Sequence, residues 1–136
     1  MIAAGGHVVM LHVEVAAQVG RLEAMLLAQI DYWLERTNNF AYGHFWVYNT
    51  MAEWGRQLGV SESAVKRAAL HLEKMGLIKR CRRNKAPYDR TLSYTICYQK
   101  LREMGFAAQR RSEAMRAAED PWDKPWTADA ANGADF

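Results

Sequence analysis

Cysteine is scarce in this chain: two residues among 136, Cys81 and Cys97, with no Cys/His group close to either. That excludes a disulfide framework and a four-ligand zinc site as readings of the sequence, and the default compartment is a reducing one, the cytoplasm. Long apolar runs are missing as well, so no membrane span is expected. Residues 1–15 have no positively charged opening and are interrupted by His7, His12 and Glu14, which argues against a signal peptide. No glycine-rich phosphate loop, nucleophile–base pair or paired carboxylates stands out, so neither an enzyme nor a cofactor is expected. The four histidines, His7, His12, His44 and His71, are scattered without ligand spacing, and no metal site is expected from them. Apolar residues, by contrast, are plentiful. Half the chain is apolar, with 5 Trp, 6 Tyr and 4 Phe, enough for the core of one domain and too much for a wholly disordered chain.

The net charge of +3 hides an asymmetry. Residues 66–90 hold nine Lys/Arg against Glu73 and Asp89, a balance of +7. Residues 119–136 hold five acids against Lys124, a balance of −4. A basic block inside a folded pattern has two readings, a polyanion-binding surface or a solvated charged face.

Periodicity divides the chain into elements. Residues 8–13 read as a short strand, with a helix starting at Glu14 as the competing reading, and Gly20 breaks the pattern. In residues 21–36 Leu22, Met25, Leu26, Gln29, Ile30, Trp33 and Leu34 recur at helical spacing, predicting a helix with a wide apolar stripe. Residues 37–43 read as a loop and 45–48 as a strand. Asn49 or Thr50 can cap the next helix, which ends at Gly59, with Glu53 three residues after Thr50 completing a capping box. Ser61 caps the next helix, which carries Val65, Ala68, Ala69, Leu72 and Met75 on one face and ends at Gly76. Residues 77–81 and 92–98 read as strands of one hairpin. In the second strand Leu92, Tyr94, Ile96 and Tyr98 are expected on the core and Ser93, Thr95 and Cys97 toward solvent. Residues 99–118 read as a helix, weakened at Gly105 by about 1 kcal/mol relative to Ala. The domain is thus expected over residues 1–118 (core 20–101), followed by a flexible acidic tail over 119–136.

Helix, tight glycine turn, helix and two-stranded ribbon, in that order, predict an α+β, mostly helical fold: a winged helix-turn-helix with a wing hairpin and a C-terminal helix. A helix of this kind fits the major groove of B-DNA, and its N-terminal residues reach base edges. Ser61, Ser63, Lys66 and Arg67 are the candidate recognition-helix contacts. Leu70 lies on the same outer side, where an exposed apolar residue is the commonest outcome, and Glu62 at the leading end suits its own helix N-terminus. Arg80, Arg82, Arg83, Asn84, Lys85 and Arg90 are the candidate wing residues, positioning the protein on the backbone more than reading sequence. The aromatic residues and the basic block occupy different stretches, which favours duplex over single strands as the partner.

Four segments in combination, "QIDYWL", "WVYNTMAEW", "SESAVKR" with "LEKMGLI", and "YDRTLSYTICYQKL", resemble the N-terminal winged-helix domain of phage and plasmid replication initiators, the replisome organisers related to the DnaD-like primosome family. The resemblance covers residues 23–101. It implies duplex binding at a replication origin and recruitment of helicase-loading machinery, with Ser61, Ser63, Lys66 and Arg67 on the recognition helix and Asn84, Lys85 and Arg90 on the wing. Trp33, Tyr48, Trp54, Tyr94 and Ile96 take structural places in it. Such proteins often continue into a second helical domain, whereas 35 residues follow Leu101 in this sequence.

Two other functions fit the same residues: a winged-helix transcriptional repressor, and a phage-encoded module that grips or inhibits a host protein. The N-terminal strand and the helix 99–118 are candidates for pairing two copies into a homodimer on an inverted-repeat site. In the tail, Trp122, Trp126 and Phe136 are candidate anchors for a replisome or host protein. Competing readings of that tail are a cover for the basic wing and an inert linker.

Overall fold

The computed structural model describes residues 8–82, 91–109 and 112–122. The fold is α+β, with about half of the described residues helical and two small antiparallel sheets. Among the described residues no helix is long and apolar enough to cross a membrane.

The N-terminal ambiguity resolves toward helix. α1 spans Val13–Val19, and residues 8–12 form no strand. After Gly20, α2 (Arg21–Leu34) buries Leu26, Leu27, Ile30 and Leu34 at helical spacing, the stripe that makes it the central helix of the core. Residues 37–49, expected as loop then strand, are instead a small hairpin and a separate strand. β1 (Phe40–Ala41) pairs with β2 (His44–Phe45) across Tyr42 and Gly43, both of positive φ, as two-residue hairpin turns require. The fully buried Trp46 ties this hairpin down. Its indole N–H donates to the Ala41 carbonyl at 2.7 Å and its own carbonyl accepts from the Thr37 hydroxyl at 2.7 Å.

β3 (Val47–Asn49) leads into α3 (Met51–Leu58), where the Thr50 hydroxyl accepts from the Glu53 N–H at 3.0 Å. Only half of the expected capping box forms. The Thr50 N–H donates to Asn49 Oδ1 at 3.0 Å, and the Glu53 carboxylate turns to Arg56 and Gln57. α4 (Glu62–Lys74) follows, then β4 (Ile78–Cys81) and β5 (Leu92–Ile96). The larger sheet has the order β3-β5-β4, all antiparallel, so the last strand lies in the middle.

That position corrects the reading of residues 92–98. Ser93, Thr95 and Cys97, expected toward solvent, are buried, because a central strand in this small sheet is covered on both faces. On one face Tyr94 and Ile96 pack in the main core, where the Trp54 and Tyr94 rings meet edge to face at 5.5 Å. On the other, Cys81, register partner of Ser93, packs against the cluster of Ala41, Tyr42 and Trp46. The two cysteines are not in a disulfide. Register sets Cys81 beside Ser93 while the Cys97 N–H donates to the Leu77 carbonyl, four residues along the neighbouring strand or about 13 Å.

The single helix expected over 99–118 is two short ones. α5 (Tyr98–Glu103) stops at Met104, before Gly105 with φ 98°, and α6 (Glu113–Ala118) starts from a Ser112 cap. Trp33 and Tyr48, given structural places by the resemblance, are exposed at 36% and 51%, whereas Trp54, Tyr94 and Ile96 are buried.

Candidate nucleic-acid interface

The turn between α3 and α4 is set by two glycines. Gly59 takes φ 71° and ψ 32°, a left-handed conformation that costs a residue with a Cβ about 1 kcal/mol or more. Gly55 matters for a different reason. A Cβ there would lie 2.6 Å from the Val60 carbonyl oxygen, so the absence of a side chain lets the returning chain touch α3. The Val60 N–H donates to the Gly55 carbonyl at 2.9 Å, and the Ser61 hydroxyl accepts from the Ala64 N–H at 3.2 Å. Together these contacts close the turn within three residues and satisfy one of the amides left free at the start of α4.

α4 then buries Val65, Ala68, Ala69 and Leu72, and helical geometry turns the opposite side outward. Ser61, Ser63, Lys66 and Arg67 are all exposed, and so is Leu70, at 47%. Ser63, Lys66, Arg67 and Leu70 follow the three- and four-residue spacing of one helical face. Glu62 is exposed in the first turn, where its charge suits the helix N-terminus. At the other end of α4, Nδ1 of His71 lies 3.0 Å from the Glu23 carboxylate.

The predicted wing residues divide differently. Arg82 is exposed at the end of β4. Arg83, Asn84, Lys85 and Arg90 lie outside the described residues. Arg80 does not project from the ribbon. Its register partner is Tyr94, so strand parity turns it to the core face. There its side chain is 9% exposed and donates to both Glu73 carboxylate oxygens, at 3.3 and 3.2 Å. Burial works against the charge, but the Glu73 carboxylate and Tyr94 outweigh it and raise the guanidinium pKa. Burial also raises the Tyr94 pKa.

Two features carried no signal in the sequence. The first is the exposed Tyr32–Trp33 pair, rings edge to face at 5.0 Å, with the Arg36 guanidinium 3.7 Å from the Tyr32 ring centroid. The Trp33 indole N–H donates to Gln57 Oε1 at 3.0 Å, which also accepts from Gln29 at 2.6 Å. A helical stripe counts Trp33 as apolar and does not say that its polar edge is spoken for at the surface. The second is the return of residues 119–122 to the β1–β2 hairpin. It rests on contacts more than 70 residues apart, such as that between Glu119 and Phe45, which no local pattern encodes.

Among the described residues no three His, Cys, Asp or Glu side chains stand together as a metal-holding group. Comparison of the chain with family models, with curated proteins and with solved structures finds no match.

Proposed function

We propose that the chain is a winged helix-turn-helix protein that binds double-stranded DNA, with α4 in the major groove and the β4–β5 ribbon against the backbone. The observation that carries this reading is the exposed row Ser63, Lys66 and Arg67 on α4, opposite a face buried by Val65, Ala69 and Leu72. From α2 to β5, with the small β1–β2 hairpin set aside, the element order supports it: helix, strand, helix, tight turn, helix, then two strands, the last of them between the other two. A helix so presented has the diameter for a major groove and cations at its leading half. Exposed Arg82 adds positive charge at the end of β4. Arg80 is left out of the interface because Glu73 already holds its guanidinium. The narrower role, initiation of phage or plasmid replication, rests on the sequence resemblance.

The test is a fluorescence titration with duplexes selected from fragments of the source genome. Replacing Lys66 and Arg67 by Ala is expected to abolish preference for the selected site, each lost bidentate base contact removing about 1–3 kcal/mol of discrimination. Neutralising Arg82, Arg83 and Lys85 is expected to weaken binding to all duplexes alike. With about five phosphates neutralised, log K falls against log salt with a slope of about −4 to −5. Wild-type affinity and selectivity in both variants overturn the assignment.

A further inference from the structure

α4 presents one apolar side chain to solvent. Its exposed positions include Ser63, Lys66, Arg67 and Lys74, and among them only Leu70, 47% exposed, lacks a hydrogen-bonding group. A leucine at the edge of the buried stripe would extend the core, but Leu70 does not stand there. At about 3.6 residues per turn it points about 160° away from the buried Leu72 and within about 20° of Ser63. Lys66 and Arg67 flank it one turn earlier, and Lys74 follows one turn later. Leu70 is therefore at the centre of the outward face, an apolar spot framed by three cations.

The charges around it indicate the kind of partner. Of the acids on α4, Glu62 stands at the leading end beside its own helix N-terminus, and Glu73 is held by Arg80. The face around Leu70 is left cationic, which suits a polyanion and not an apolar protein groove. In a major groove Lys66 and Arg67 can bond base edges or phosphates, whereas Leu70 gains only from contact with something apolar. Against the edges of guanine, adenine or cytosine it would strip water from hydrogen-bonding groups and return no bond. The C5 methyl of thymine is the apolar group that unmodified DNA displays there. Leu70 lies about 10 Å along the helix from Ser63, or about three base-pair steps of about 3.4 Å, so the two positions can face separate base pairs.

We propose that Leu70 is the specificity-determining residue of α4 for a thymine, whose 5-methyl group it meets in the major groove among the contacts of Lys66, Arg67 and Lys74. The proposal rests on the duplex-binding reading of the same face. Attraction to the methyl and the cost of covering an unmatched polar edge act in the same direction, so one apolar side chain discriminates against the other three bases.

The test uses the full chain and a duplex that it selects from fragments of the source genome. Each thymine of that duplex is replaced in turn by deoxyuridine, which removes the methyl and leaves every hydrogen-bonding group in place. At one thymine the change is expected to weaken wild-type binding about 4-fold, the worth of one methyl taken out of water. In Leu70→Ala that loss is expected to vanish, and in Leu70→Met, which keeps an apolar side chain of similar size, it is expected to persist. If uracil is neutral at every thymine, or its cost is the same in Leu70→Ala, the proposal is overturned while duplex binding stands. Tightening by 5-methylcytosine at a cytosine of the site, with uracil neutral throughout, overturns thymine as the source of the methyl. If the chain selects no duplex, the duplex-binding reading itself fails and this assignment falls with it.

Discussion

Arg80 on β4 and Glu73 near the end of α4 are joined by two hydrogen bonds, 3.3 and 3.2 Å, across the seam where the helix meets the sheet. The pair is asymmetric in exposure, with the arginine side chain at 9% and the carboxylate at 38%. Removing the carboxylate leaves a nearly buried charge without its partner. Glu73→Ala is therefore expected to destabilise the fold by about 1–3 kcal/mol, below the range for a fully buried pair because water reaches Glu73. Urea denaturation measures this. Arg80→Met, which keeps the length and removes the charge, is expected to leave duplex affinity and its salt slope at wild-type values, unlike neutralisation of Arg82.

Gly55 and Gly59 serve the same turn by different physics, and their alanine variants separate the two. At Gly59 the added Cβ meets no neighbouring atom, and the cost is backbone strain at positive φ, about 1–2 kcal/mol. At Gly55 it collides with the Val60 carbonyl at 2.6 Å and forces α3 and α4 apart. Gly55→Ala is expected to cost about 1–3 kcal/mol. It is also expected to weaken site-specific duplex binding beyond its effect on stability, because α4 is re-aimed. Denaturation midpoints paired with titrations on the folded protein check both effects.

Glu53 gives the fold a pH-dependent contact at its surface. Hydrogen bonding from Arg56 first, then from Gln57, lowers its carboxyl pKa from 4.5 to about 2. A carboxylate whose folded pKa is depressed contributes its full stabilisation above the unfolded value and loses it as pH falls through the folded one. The window here runs from 4.5 down to about 2. Since Gln57 also accepts from the Trp33 indole, the Trp33 N–H resonance is expected to move with a midpoint near pH 2. In Glu53→Gln that inflection disappears. A midpoint near 4.5 contradicts the contact.

The two thiols are expected to react in a fixed order. Cys97 is buried, and burial raises its thiol pKa, leaving little of the reactive thiolate at neutral pH. Cys81 is only partly buried. Alkylation of the native protein followed by peptide mass analysis is expected to label Cys81 well before Cys97, with both labelled at once in denaturant. Mild oxidation is expected to produce no intramolecular bond, since the separation of about 13 Å exceeds disulfide reach.

Much of the fold was legible because its signals are local. The stripe Leu26, Ile30, Leu34 reveals α2 through spacing alone, and Ser61 and Gly59 mark a cap and a stop whose chemistry involves only their neighbours. Exposure of Lys66 and Arg67 follows from the same periodicity that buries Val65 and Ala69. The two main misreadings differ in cause: that of β5 depends on a partner distant in sequence, that of residues 99–118 on a local break. Ser93 and Thr95 alternate as a half-exposed strand would, yet they are covered because the cluster around Trp46 closes the second face of the sheet. Residues 99–118 keep enough helical periodicity to suggest one helix, yet the chain breaks at Gly105 and α6 stands apart with none of its residues buried.

Sequence alone determined the order of the central elements, the glycine-closed turn and the outward cations of α4, because each follows from side-chain periodicity or from a residue's own backbone preference. Only the tertiary structure decided that Arg80 belongs to Glu73, that β5 is the middle strand, and that Trp122 is folded onto His44. Those outcomes depend on strand register and on charge and ring contacts between distant segments. Their energies arise only when folding brings the partners within a few ångströms.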